Sequence, residues 1–497
     1  MTRIPVVPLL GLAALIGVAS AANSQETRMP SAITRSWNER PLTLPIVGAS
    51  MAYVPRQATN RIVLFIGGDG GWNLGVIDMA RRIAPRAIVI GISYPALRKA
   101  ADAEGGHGCW YPAADLERIS RAAQKQLRLP EYQPPVLIGY SSGATAVYAA
   151  LAAAPAVTFA GGISLGFCPD LEVGRPVCSA EFWRPTYDPR KHVNWLPTTP
   201  TLPRDWHVLQ GVQDQVCSPG ATQAFAAAIP GAHYISIEKT GHGFGRPAQW
   251  GPAFDRALVS LWTEIDRRAA ERQSRPPSLG GLEERLESLD LPLEERWPAN
   301  PSAYVVFFSG DGGWAALDDG LAAALVDSGI GVGGLSSLRY FWQEKSARQV
   351  VTDLGRLVST LAETGRPVFA GGYSFGAEVI PVALRDAGAP AQFALQGLIL
   401  IAPGESASFE IDPLDWVRTA RPNPATRVAP ALETLRCPTL CVAGTDETDS
   451  ACGDLPATTP FRIARLPGTH HFQGDYKSLG AAVVQFIDSL KKGSQPR

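Results

Sequence analysis

Surplus charge is missing from this chain: 45 Lys and Arg face 46 Asp and Glu over 497 residues, a net charge of -1. With no basic excess to neutralise phosphates, nucleic acid is not an expected partner. Past the N-terminus there is no apolar run long enough to cross a bilayer. Two Gly-rich loops occur, but neither is followed by Gly-Lys-Ser/Thr and neither has G-x-G-x-x-G spacing, which argues against a phosphate cradle. Cysteine is sparse, at seven, and Cys437-Pro438-Thr439-Leu440-Cys441 lacks a second pair or a His at zinc-ligand spacing. No metal centre and no cofactor are expected. Histidine is as scarce, also at seven, so each one that falls at a meaningful place carries weight.

What is present begins with an expected address label. Arg3, an apolar run from Leu9 to Val18 and the small residues Ala19-Ser20-Ala21 have the layout of a cleavable export signal over residues 1–22. The mature chain, with no transmembrane segment, then belongs in an exported compartment where disulfides form. Short loops favour Cys168/Cys178 and a pair among Cys437, Cys441 and Cys452, with one thiol left over.

The organising feature is a stretch that occurs twice. Gly372-Tyr373-Ser374-Phe375-Gly376 follows the apolar run Pro367 to Ala370 and leads into a helix-compatible segment; Gly139-Tyr140-Ser141-Ser142-Gly143 follows Pro135 to Ile138. Both have the strand, sharp turn, helix context of a G-x-S-x-G nucleophile elbow, whose crowded turn needs small neighbours. The strands Arg61–Ile66 and Tyr304–Phe308 likewise each run into Gly-Asp-Gly-Gly-Trp, at Gly68–Trp72 and Gly310–Trp314. The chain is therefore an internal duplication. Short apolar strands alternating with helical segments predict two tandem α/β-hydrolase-like domains, each a doubly wound, mainly parallel sheet. The boundaries expected are 23–273 for the first domain, 274–300 for a Pro/Gly-rich linker, and 301–497 for the second. Pro- and aromatic-rich excursions at Cys168–Asp205 and Pro403–Arg436 are placed over the C-terminal ends of the strands.

A Ser hydroxyl attacks only when a His accepts its proton and a carboxylate orients that His, and in this fold the acid and then the His follow the Ser. In the first half the candidates are Ser141, Asp214 and His242. In the second they are Ser374 and His470, with Glu447 as acid, because it stands 73 positions after Ser374 as Asp214 does after Ser141. Asp446 is the close rival and Asp449 the third choice, and His471 is taken as a neighbour. The oxyanion hole is expected from the backbone N–H of Phe375 and from the Gly310–Trp314 loop near Asp311 or Gly312.

These motifs, with Ser337-Leu338-Arg339-Tyr340-Phe341-Trp342 and Gly468-Thr469-His470-His471-Phe472, resemble the AcvB/VirJ family. The Tyr-Phe-Trp segment lies outside the generic hydrolase pattern. The resemblance is strong from Tyr304 onward, and the first half is collinear with it. It implies a periplasmic serine esterase that hydrolyses the aminoacyl ester of aminoacylated phosphatidylglycerol, chiefly lysyl-phosphatidylglycerol, at the membrane surface. Ser374 matches the family's nucleophile, and Glu378, Glu405 and Asp446 are candidates to receive a cationic aminoacyl group. Two other readings remain at this level: an exported binding protein that contacts secretion-system proteins without turnover, and a general carboxylesterase.

Overall fold

The computed structural model describes residues 35–103, 108–180, 183–200, 202–273, 281–387, 395–411, 426–453, 455 and 460–493. The segment 1–22, expected as an export signal, lies outside them.

Strands β1 (Trp37–Leu44), β2 (Gly48–Pro55), β3 (Ile62–Ile66), β4 (Ile88–Ile92), β5 (Val136–Tyr140) and β6 (Gly161–Leu165) open the chain. After them come β7 (Asp170–Glu172), β8 (Thr186–Asp188), β9 (Val193–Trp195), β10 (Trp206–Gly211) and β11 (Ala232–Ile237). Eight of these form one sheet in the order β1-β2-β4-β3-β5-β6-β10-β11. It is parallel from β4 onward and antiparallel at the β1/β2/β4 edge.

The second half repeats the plan with β12 (Leu293–Arg296), β13 (Ala303–Phe308), β14 (Ile330–Leu335), β15 (Val368–Tyr373), β16 (Leu395–Ile401), β17 (Thr439–Gly444) and β18 (Phe461–Leu466). Their order is β12-β14-β13-β15-β16-β17-β18, with only β12 antiparallel. Each half is thus an α/β-hydrolase-like unit. In each, the order reverses between the strand that enters the Gly-rich loop (β3 or β13) and the one that enters the elbow (β5 or β15), which opens a crevice at their C-terminal ends.

Burial on both faces explains why the strands read as continuous apolar runs. All of β13 is buried, and its side chains alternate between two cores. Val305 and Phe307 pack with Leu479 and Phe486, while Val306 and Phe308 pack with Leu354 and Ile380. The helix Ala347–Ala362 buries Val350, Leu354, Leu357, Val358 and Leu361 at helical spacing. It starts where Ser346 Oγ accepts from Gln349 N and Gln349 Oε1 accepts from Ser346 N, a reciprocal cap.

Several expectations need correction. Residues 282–296 carry the helix Leu282–Glu287, in the charged segment whose sequence admits a short helix, and strand β12, which pairs with β14. Their charge pattern hid β12 because an edge strand keeps polar side chains in water. The hairpin β1/β2 adds an antiparallel edge to the first sheet, where the outer strand β1 keeps most of its side chains in water. The excursion at 168–205 folds as a small sheet in the order β7-β9-β8. In the shorter one, Phe409 packs against the second core, while Trp416 lies outside the described residues. The expected Cys168/Cys178 bridge does not form: the pairs are Cys109–Cys178, Cys168–Cys217 and Cys441–Cys452, with Cys437 a free thiol. Loop length misled here, because β6 and β10 are sheet neighbours whose ends bring Cys168 and Cys217 together.

Strand β15 and the helix Phe375–Asp386 meet at a close backbone contact. A Cβ on Gly372 would stand 2.4 Å from the Gly376 carbonyl carbon, and one on Gly376 would stand 2.3 Å from the Phe308 carbonyl oxygen. Both obstacles are backbone and have no rotamer to retreat into. We expect Gly376→Ala to cost about 3 kcal/mol or more, roughly 10 °C in Tm for a unit of this size. Gly220→Ala, which meets nothing within 4 Å, should melt with the wild type. Equal melting of Gly376→Ala and wild type by calorimetry would refute the close-contact argument.

Candidate active site

Each elbow holds its serine where L-residues seldom sit. Ser374 has φ 51° and ψ -118°, and Ser141 has φ 56° and ψ -125°. Such dihedrals cost on the order of 1–3 kcal/mol and persist only where the surroundings enforce them. Here the enforcement comes from the strand and helix on either side and from Ser374 N–H donating to the Ile401 carbonyl at 2.9 Å. The side chain is left standing in the crevice.

In the second half, His470 Nε2 lies 2.8 Å from Ser374 Oγ, and His470 Nδ1 lies 2.6 Å from Glu447 Oε1. With Nδ1–H donating to the carboxylate, Nε2 is left to accept the serine proton. Glu447 is nearly buried, and its Oε2 accepts from Gly444 N at 3.1 Å. Asp446, the rival acid, is exposed and lies 3.1 Å from Thr445 Oγ1, and Asp449 is exposed as well. His471 stays out of the row: its Nδ1 is 2.9 Å from Tyr373 Oη. Burial, with His470 beside it, holds the His471 imidazole below its ordinary pKa. The Tyr373 ring packs 5.2 Å from that of His470.

The first half contains a second row. His242 Nε2 is 2.9 Å from Ser141 Oγ and its Nδ1 is 2.8 Å from Asp214 Oδ2. Asp214 is more firmly held than Glu447, since it accepts from Val216 N, Cys217 N and Gln210 Nε2. Asp214, Cys217 and His242 have the residue types of a metal site. Cys217, however, is tied to Cys168, and both ring nitrogens of His242 are engaged, so the donor set does not suit an ion.

Above Ser374 runs the loop that follows β13. A Cβ on Gly310 would come 3.8 Å from Ser374 Cβ. The loop is rooted by two buried serines: Ser309 Oγ accepts from Ser337 N at 2.9 Å and Ser337 Oγ donates to the Ser309 carbonyl at 2.6 Å. Its far end is fixed by Trp314, whose Nε1–H donates to Asp319 at 2.8 Å and whose ring fills the place a Gly334 side chain would occupy. Trp72 lies over Gly91 in the same way, which explains the repeated Trp in packing terms. Phe375 is the first residue of its helix, so its N–H is among those that no helix carbonyl receives. The crevice therefore brings together a serine hydroxyl, an imidazole bonded to a carboxylate, and the first backbone N–H of a helix.

Acidic groups gather beside it. Glu378 is partly buried and accepts from Gly404 N at 3.0 Å. Burial, together with the negative Asp311 and Asp449, pushes its pKa up to about 7 against one opposing backbone bond. Asp318, which caps Ala315 N at 2.9 Å, is pushed up to about 7 mainly by burial. Glu405 is exposed. The residues missed in the sequence are those that hold others in place, such as Ser309, Ser337 and Gln210. No local pattern marks such partners, because each acts through a residue distant in the chain.

Among known proteins, residues 302–491 match the family model described as bacterial virulence protein (VirJ). No curated protein matches the chain. Similar solved structures include a thermophilic esterase from Thermogutta terrifontis, 14% identical, covering 46% of this chain and 99% of that one with a TM-score of 0.31. Others are the esterase domain of a Rhodothermus marinus protein, at 17%, 46%, 97% and 0.29, and a dienelactone hydrolase from Anabaena variabilis, at 14%, 40%, 98% and 0.28.

A carboxyl whose pKa is higher folded than unfolded binds an extra proton in the native state, so it costs stability as pH rises between the two values. For Glu378 that window runs from the ordinary 4.5 to about 7. Glu378→Gln should therefore gain Tm over wild type progressively from pH 5 to 7, and the gap should level off above. A gap independent of pH would contradict the assignment.

Proposed function

Starting from a C-terminal half that is VirJ-like, we propose that the protein is an exported serine esterase whose Ser374 site hydrolyses the aminoacyl ester of aminoacylated phosphatidylglycerol, lysyl-phosphatidylglycerol first among them. The observation that carries the reading is the continuous row from Ser374 Oγ through His470 to Glu447, at 2.8 and 2.6 Å, beside a serine in a strained conformation.

The chemistry follows from the row. Ser374 Oγ attacks the aminoacyl carbonyl carbon as its proton passes to His470 Nε2. Amides at Phe375 and in the Asp311/Gly312 loop receive the charge on the carbonyl oxygen. The tetrahedral species collapses, the bond to the glycerol oxygen breaks, and His470 gives that oxygen its proton. Water then adds to the acyl-enzyme by the reverse route, releasing the amino acid and restoring Ser374. The carboxylates of Glu378 and Asp449 favour a substrate with a positive charge near its ester, because a cation beside Glu378 stabilises its ionised form.

Three disulfides support an oxidising compartment such as the periplasm. Among the described residues no helix is long and apolar enough to cross a membrane. The Ser141–His242–Asp214 row supports a second hydrolytic site, with Ser374 carrying the lipid reaction.

Lysine release from lysyl-phosphatidylglycerol vesicles checks this. Ser374→Ala should lose about 10³-fold or more of the rate, while Ser141→Ala stays within about 3-fold of wild type. Wild-type release by Ser374→Ala would reject the assignment. A pure, folded wild type that releases no lysine and does not react with a fluorophosphonate would favour the binding-protein reading instead.

A further inference from the structure

The two halves are joined at the Ser374 site, and the join touches both sources of the candidate oxyanion hole. On the helix Pro112–Gln126 of the first half, Arg121 is 1% exposed and bonds Glu117 one turn away at 2.7 Å. Its Nη2 lies 3.8 Å from where Gly312 would carry a Cβ, and Asp311 is within electrostatic reach of both Arg121 and Glu117. A guanidinium belonging to one half is thus buried against the Gly-rich loop of the other.

The other source is Phe375. Its ring packs 5.0 Å from that of Phe341, and the next residue, Trp342, is gripped by the first half. Trp342 Nε1–H donates to the Leu129 carbonyl at 2.9 Å, and its ring lies 5.4 Å from Tyr132. Lys125 donates to the Trp342 carbonyl, sits 4.7 Å over the indole and pairs with Glu410 at 2.7 Å. Tyr132, from the first half, is buried in the hydrophobic core of the second. The Tyr-Phe-Trp segment is therefore a joint: Tyr340 Oη donates to Asp353 of its own half at 2.7 Å, Phe341 supports the residue after the nucleophile, and Trp342 latches to the neighbour.

The two halves differ at this loop. In the first half, Asp69 of the Gly-Asp-Gly-Gly loop is bonded at 2.5 Å by Ser142 Oγ, the residue after the nucleophile. In the second half that position is Phe375, which has no hydroxyl, and the charged group that reaches the loop, at Gly312, is Arg121 of the other half. A surface needed only for docking would be served more cheaply by apolar side chains, since a buried guanidinium carries a desolvation penalty. An unbalanced Asp311 carboxylate would also oppose the negative charge that develops on the substrate oxygen next to it.

We propose that the first half is a positioning partner of the Ser374 site. Arg121, held by Glu117, neutralises Asp311 and fixes the 310–313 loop in the geometry that receives the oxyanion, and the Trp342 latch fixes Phe375 through Phe341. This rests on the reading of Ser374 as a nucleophile and on no particular substrate.

The test uses the full chain and a fluorophosphonate probe, with labelling rates at Ser374 and Ser141 measured separately by peptide mass spectrometry. Arg121→Gln should slow labelling of Ser374 about 10- to 100-fold and leave Ser141 unchanged, and Arg121→Lys should recover part of the loss. In an Asp311→Asn background, Arg121→Gln should add less than about 2-fold, because the two residues act as one unit. An unchanged Ser374 rate in Arg121→Gln overturns the proposal while leaving the esterase reading intact. So does an equal loss with and without Asp311, or a parallel loss at Ser141, since either marks general loosening. A wild type in which Ser374 is inert and Ser141 reacts removes the nucleophile reading and this proposal with it.

Discussion

The carbonyl oxygen of Phe308 and the α-carbon of Gly376 come so close that no side chain fits between them. That contact presses the helix Phe375–Asp386 onto strands β13 and β15, and the chain can make the turn only by holding Ser374 at positive φ. The helix start then offers a free N–H beside the serine, and the neighbouring loop lies over it. Strand β17 delivers Glu447 and the segment after β18 delivers His470. The elbow strain and the place of Ser374 in the row thus follow from one steric constraint, met with two glycines. Gly139 and Gly143 meet it again in the first half, where a Cβ on Gly139 would stand 2.2 Å from the Gly143 carbonyl oxygen.

The parts legible in the sequence share a property: their signal is local. An elbow announces itself within five residues, a buried parallel strand within six, and the duplication lets one half check the other. The equal spacing that singled out Glu447 over Asp446 works because both acids hang from the same strand end in the same topology. Phe244 and Phe472, each two positions after its catalytic-row His, both adopt positive φ, at 46° and 50°. The two loops therefore share a turn as well as a residue pattern.

What stayed hidden depends on adjacency across the sheet or between the halves. Cys168 pairs with Cys217 because β6 lies next to β10, a fact of strand order that short sequence separation cannot supply. Strand β12 carries charges suited to a sheet edge and so looks like linker. Arg121 has no local signature at all: it lies on an ordinary amphipathic helix, more than 180 residues before the loop it touches, and only the folded chain gives it a role. The same adjacency makes the two halves unequal, for the first supplies its own partner to Asp69 whereas the second borrows one.

The central claim is that elbow, row and Gly-rich loop form one site able to receive a negative oxygen. It is tested most directly by a crystal structure of the full chain after reaction with a phosphonate that bonds to Ser374. The account expects the phosphoryl oxygen about 3 Å from Phe375 N and from an amide of the 310–313 loop, with His470 still between the serine and Glu447. A phosphoryl oxygen directed to solvent, with neither amide within hydrogen-bond distance, would contradict it.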